Sequence, residues 1–96
     1  MFTHIVFFRL KDQSATSMTA TKEKLLSMNG RIPQLRGLEV GVDVIRSERS
    51  YDVALITRFD SREDMQAYQI HPYHEGEILP YMKGVSASVA AIDYES

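Results

Sequence analysis

The stretch Thr3-His4-Ile5-Val6-Phe7-Phe8-Arg9-Leu10 decides the fold. β-Branched and aromatic residues dominate it, which predicts a β-strand over 3–10. His4, Val6, Phe8 and Leu10 share one face of that strand; Thr3, Ile5, Phe7 and Arg9 share the other. Both faces are largely apolar, the pattern of a strand covered on two sides. Whatever surrounds this segment must therefore supply two covers.

Residues 11–17 form a polar loop in which Ser14 or Ser17 can cap a helix. From Met18 the period changes. Met18, Leu25, Met28 and Ile32 recur at helical spacing with Leu26 beside them, while Lys22, Glu23 and Lys24 fill the other face. This predicts a helix reaching Ile32 and stopped by Pro33 and Gly37. Residues 38–45 alternate as a half-exposed strand, with Leu38, Val40, Val42 and Val44 on the apolar side. The connector 46–50 is short enough for an antiparallel hairpin, and 51–59 is the third strand, carrying Val53, Leu55, Ile56 and Phe59. Asp60 or Ser61 caps a second helix, whose Glu63 and Asp64 suit its positive end and whose Met65 and Tyr68 give one apolar stripe. Pro72 disfavours its continuation. Residues 73–82 read as a loop or short helix, and 85–94 as the last strand.

The order β-α-β-β-α-β with right-handed crossovers gives an α+β fold, the ferredoxin-like plait. It is a four-stranded antiparallel sheet with both helices on one face and the first strand in the middle. One domain over 1–96 is expected at this length. Helices cover one face only, yet Ile5 and Phe7 are apolar on the other. A chain of this size buries only ~60–68% of its unfolded surface. The bare face therefore predicts a homodimer whose two sheets pack face to face into a dimeric α+β barrel.

Composition narrows the function classes. The chain is 44% hydrophobic and 25% charged, which excludes a disordered or low-complexity polymer. A net charge of −2 without a basic block gives no footprint for nucleic acid or an anionic membrane. No cysteine is present, so there is no disulfide, thiolate metal site or cysteine nucleophile. The apolar run at 5–8 is too short for a signal peptide or a membrane span. A soluble cytoplasmic protein is the expectation.

The three histidines are His4, His71 and His74, the last two in His71-Pro72-Tyr73-His74-Glu75. Each has an ordinary structural reading. His4 can be a core-edge ring with satisfied nitrogens, His71 a ring at a helix C-terminus, and Tyr68 a core aromatic. Glu75 and Glu77 read as solvated. A three-histidine metal set has the right donors, but no H-E-x-x-H spacing accompanies it and Pro72 restricts two of the three. No G-x-S-x-G elbow and no phosphate-cradling glycine loop is present.

Several segments resemble, in order over nearly the whole chain, the stress-responsive dimeric α+β barrel (Dabb) family. They are His4-Ile5-Val6-Phe7-Phe8-Arg9-Leu10-Lys11-Asp12, Ile32-Pro33, Tyr51-Asp52 and Asp93-Tyr94. Most specific is Tyr68-Gln69-Ile70-His71-Pro72-Tyr73-His74, which looks like that family's Y-x-x-H-P-x-H segment. The resemblance implies the plait and the homodimer independently. It also implies a small-molecule pocket between helices and sheet, with no metal and no cofactor.

A plant member of the family closes a linear polyketide by intramolecular aldol condensation, with a histidine as base and a tyrosine hydroxyl assisting. By motif match those roles fall on His74 and Tyr68, and a further pocket histidine on His4. Val6, Phe8, Leu25, Leu55 and His71 are then the implied substrate-binding residues. An imidazole with a pKa of about 6.5 can take a proton from a carbon activated by carbonyls, and a tyrosine hydroxyl can hold the enolate oxygen. The chain departs from the cyclase at the first helix, where Thr21, Lys22 and Leu25 replace bulky aromatics. It departs again at Val53 in place of a histidine, at Glu77 in place of an aromatic, and in the small residues Ala87, Ala90 and Ala91. The acid–base pair carries over; the polyketide does not.

Three function classes remain. One is a cofactor-free enzyme doing proton-transfer, lyase-like or aldol-type cyclase chemistry on a carbonyl compound. Another is a non-catalytic, stress-responsive or ligand-binding homodimer with structural histidines. The third is a relative of haem-handling or quinol-oxidising barrels, which share the plait but not the histidine segment.

Overall fold

The computed structural model describes all 96 residues. β1 (Phe2–Leu10) runs through the middle of a four-stranded sheet. On one side it pairs antiparallel with β3 (Val53–Phe59), which pairs in turn with β2 (Gly37–Val42); on the other it pairs antiparallel with β4 (Ser86–Glu95). The order β2-β3-β1-β4 is that of the plait. The even residues of β1 are buried, and so are Val53, Leu55, Thr57 and Phe59 opposite them on β3. Helices α1 (Ala15–Leu26), α2 (Arg62–Gln69) and α3 (Leu79–Val85) make up the helical layer.

Local chemistry fixes the helix starts. The Ser14 hydroxyl accepts from the Ser17 N–H at 3.2 Å, and the Ser61 hydroxyl from the Asp64 N–H at 3.1 Å, so each satisfies one orphan donor. Leu25, Met28, Phe59 and Tyr68 are fully buried, each large apolar body contributing about 1.5–3 kcal/mol. Together with Met65, Ile78 and Met82 they weld the helices to the sheet.

Two expectations are corrected, and the alternative of loop or short helix over 73–82 resolves to helix. α1 stops at Leu26, and Met28 and Ile32 are buried from the turns that follow. Gly30 adopts φ 77°, a left-handed conformation that reverses the chain while the apolar spacing is kept. β2 ends at Val42, and Val44 is 85% exposed although it continues the alternation. There the Asp43 carboxylate accepts from the Arg46 N–H at 2.7 Å and holds Arg46 at φ 61°, which turns the chain out of the sheet. Finally, residues 72–85 are helical throughout, with a π-helical turn at His74–Ile78 running directly into α3. Pro72 stands at the start of this run, where a missing N–H costs nothing, and Pro80 lies inside it, just past the π turn.

The β2–β3 loop is pinned from within. Asp52 is fully buried and accepts from the Leu10 N–H and Arg46 Nη2, both at 2.7 Å, and from Gln13 Nε2 at 3.2 Å. Burial alone would raise the Asp52 pKa; the three donors outweigh it and hold the carboxyl below its usual range. The other sheet face carries no helix. Phe7, Ile92 and Tyr94 are exposed there, with Ile5, Ala54 and Ile56 half-buried among them. No helix is long and apolar enough to cross a membrane.

Candidate active site

A cavity of about 420 Å³ lies between the helical layer and the β1–β4 half of the sheet. That volume falls within the range of small-molecule sites, ~300–1,000 Å³. β1 contributes His4, Val6 and Phe8, while Leu25 comes from α1, Leu55 from β3 and Tyr68 from α2. His74 and Ile78 enter from the π turn and Met82 from α3. Most of the wall is apolar, and the polar groups gather at two places. A second concavity, at the chain ends beside Asp60, Arg62 and Glu95, is polar and holds no histidine.

Tyr68 is the centre of one polar group. Its ring centre stands 4.5 Å from that of His74 and 6.4 Å from that of His4. The helical stripe that buries Tyr68 also leaves its hydroxyl without any hydrogen-bond partner. Burial pushes the Tyr68 phenol well above its ordinary pKa, so the group stays protonated and can donate.

His74 owes its orientation to the backbone. Its Nδ1 lies 3.0 Å from the Gln69 carbonyl oxygen, which can only accept, so Nδ1 carries the proton and Nε2 keeps a lone pair. Burial holds the His74 pKa below its usual value; the Gln69 carbonyl pulls the other way, as does Glu75, while His4 and His71 nearby push it down further. The segment before His74 is anchored by Tyr73, whose hydroxyl bonds Ser27 Oγ at 2.7 Å and whose ring lies under the Arg31 guanidinium.

His4 is held by a carboxylate. Its Nδ1 hydrogen-bonds Asp93 on β4, the residue directly opposite in the β1–β4 register. This pairing is the arrangement that fixes an imidazole tautomer and its orientation.

Seven of the residues named from the sequence therefore meet: His4, Val6, Phe8, Leu25, Leu55, Tyr68 and His74 all line one cavity. His71 does not. Its Nδ1 accepts from the Tyr73 N–H at 3.1 Å, so it stiffens the turn before His74 outside the cavity wall. Asp93 was not singled out as part of the site by the sequence. Strand order makes β4 the neighbour of β1, but which residue faces His4 depends on register. Lys83 and Ser86 also line the cavity, from a segment whose Pro80 and Gly84 mask its helix. Val53 belongs to the core outside the wall, and Glu77 points to solvent and pairs with Lys24. No three histidine or acidic side chains converge as a set able to hold a metal ion.

A plait with a mainly apolar cavity between helices and sheet, entered by two histidines and a buried tyrosine, defines a small α+β barrel protein. Residues 2–96 match the stress responsive A/B barrel domain, and the chain belongs to that family, Dabb. No curated protein matches the sequence. Among solved structures the chain is similar to a dimeric protein of unknown function with a ferredoxin-like fold from Bacteroides fragilis. The two are 29% identical with a TM-score of 0.84, over 99% of this chain and 95% of that one. A dimeric ferredoxin-like protein of unknown function from Thermobifida fusca is 26% identical, with a TM-score of 0.82 over 99% and 90% of the two chains. The hydroxynitrile lyase of Passiflora edulis has a TM-score of 0.82 at 17% identity, over 97% of this chain and 90% of that one, a likeness of fold.

Proposed function

We propose that this protein is a cofactor-free acid–base catalyst of proton-transfer or aldol-type chemistry on a small carbonyl compound with an apolar portion. The observation that carries this reading is the Tyr68 hydroxyl, fully buried, without a partner, and set in a cavity wall that His4 and His74 share. A buried hydroxyl left unpaired destabilises a fold by about 1–3 kcal/mol, and a ligand oxygen would relieve that penalty.

The chemistry follows from the three groups. A carbonyl oxygen bound at Tyr68 Oη brings its α-carbon beside the His74 imidazole. His74 Nε2 takes the α-proton, and the electron pair of the C–H bond moves to form the enolate. Charge develops on the oxygen, where the Tyr68 hydroxyl donates a hydrogen bond in a water-poor site. His4, supported by Asp93, serves as the second proton carrier when the enolate is reprotonated or adds to another carbonyl.

The catalyst works as a homodimer, sheet against sheet. The bare face bearing Ile5, Phe7, Ile56 and Ile92 is the surface such an interface needs, and the Bacteroides and Thermobifida proteins are dimeric.

Deuterium uptake by 2-octanone in D2O, followed by NMR, tests the reading. Exchange next to the carbonyl should exceed the buffer rate and be lost in His74→Ala and Tyr68→Phe. Exchange at the buffer rate, or exchange indifferent to both substitutions, would instead favour a ligand-binding dimer with structural histidines. That alternative draws on His71, whose ring serves only to stiffen a turn.

A further inference from the structure

The cavity is polar at both ends and apolar between them. At one end stand His4, Tyr68 and His74; at the other, where α3 passes into β4, stand Lys83 and Ser86, the latter opposite Leu10 on β1. The β1 register separates them, because His4 faces Asp93 and Leu10 faces Ser86, six residues further along the strand.

The second end has a defined chemistry. Lys83 is the one lining side chain with a fixed charge, and no carboxylate lines the cavity. Lys83 takes part in none of the ion pairs of the molecule. Glu77, in the π turn that precedes α3, is engaged by Lys24. Ser86 Oγ is buried with no hydrogen-bond partner, and it caps the same helix turn that carries Lys83. An unpaired ammonium and an orphaned hydroxyl three residues apart, at the rim of an apolar chamber, together supply two donors. Two donors suit the two oxygens of a carboxylate.

We infer that the ligand is bifunctional, an oxo acid with a carbonyl at the Tyr68 end and a carboxylate at Lys83 and Ser86, joined by an apolar chain. The carbonyl end rests on the acid–base reading above; the carboxylate end rests on Lys83 and Ser86 alone. Lys83 sets specificity and takes no part in proton transfer. Its ammonium also complements the negative end of α3, a role that confers no ligand preference.

Calorimetric titration of the intact protein with 9-oxodecanoate and with its methyl ester decides the matter. The acid should bind about three- to tenfold tighter than the ester, the range of a partly exposed charge-assisted contact, and the advantage should shrink as salt is raised. Lys83→Ala should erase the difference, Lys83→Arg should retain most of it, and Ser86→Ala should reduce it. Lys83 is exposed, so its substitutions leave the core untouched. Equal affinity for acid and ester, a preference that survives Lys83→Ala, or no binding of either compound overturns the inference. Deuterium uptake at the ketone end of both compounds separates the two claims. Exchange without acid preference would defeat the role of Lys83 and leave the acid–base reading intact. Acid preference without exchange would do the reverse.

Discussion

The rings of Tyr68 and His74 lie 4.5 Å apart, centre to centre, yet the Tyr68 hydroxyl bonds neither His74 nor any other group. The packing that fixes the ring thus leaves its polar tip in reserve. Replacing Tyr68 by Phe removes an unpaired buried hydroxyl and keeps the apolar body. Thermal unfolding should show stability unchanged or raised by up to about 1 kcal/mol. Ketone deuterium exchange should meanwhile fall by about tenfold to a hundredfold, the range for losing one donor to a developing oxyanion. A clear loss of stability would show that the hydroxyl is structurally engaged.

Burial keeps His74 neutral to lower pH than an ordinary histidine. As a base it is active when deprotonated, so the acidic limb of the exchange rate should fall below about pH 6.5, the unperturbed midpoint. The sign for stability follows. A depressed pKa means that the unfolded chain binds the proton more readily, so the contribution is complete above the unfolded pKa and is lost as pH falls to the folded one. An NMR titration of the His74 ring should give a midpoint below that of the urea-unfolded protein. A midpoint at or above it would contradict the geometry.

Asp52 controls the β2–β3 loop through the three donors it receives. Asp52→Asn preserves the shape but weakens all three bonds and should destabilise the fold by about 1–3 kcal/mol in urea unfolding. Because the carboxyl is held below its usual pKa, its contribution is present above about pH 3.9 and disappears as pH falls through the folded value. The variant should therefore show a shallower loss of stability in acid. An identical acid profile would exclude the clamp.

Phe7 is exposed at the centre of the bare sheet face, with its ring against Tyr51. Phe7→Glu adds charge to that face without entering the core. Light scattering should find twice the chain mass for the native protein and a single chain mass for the variant at micromolar concentration. Two equal masses would remove the sheet face as the interface.

Much of this architecture was legible in β1. A strand apolar on both faces requires the middle of a sheet, and strand order followed from the alternation of periods. The candidate site was legible where a short motif carries it, at Tyr68 and His74, which line one cavity. What escaped depends on geometry that spacing does not encode. Met28 and Ile32 keep the helical phase of α1 although the helix has already ended, because burial rewards position and is indifferent to backbone conformation. Val44 continues the alternation of β2, but the Asp43–Arg46 turn lifts it into water. Asp93 became part of the site only through β1–β4 register, and Lys83 and Ser86 only through a helix whose prolines read as breakers.

The π turn at His74–Ile78 makes the length of this segment a coordinate of the site. Each helical residue advances the chain by about 100°, and a π turn holds roughly one residue more than an α turn. The imidazole and α3 are thus offset by one residue in angular phase, and both reach the same chamber because of that slip. Excising Gly76, which has open space around it, would remove the surplus residue of the π turn. Circular dichroism should then record undiminished helicity, while His74 swings about a quarter turn away and ketone exchange ceases. The surplus residue works as a spacer, and the motif functions only at the distance along the chain that this spacer sets.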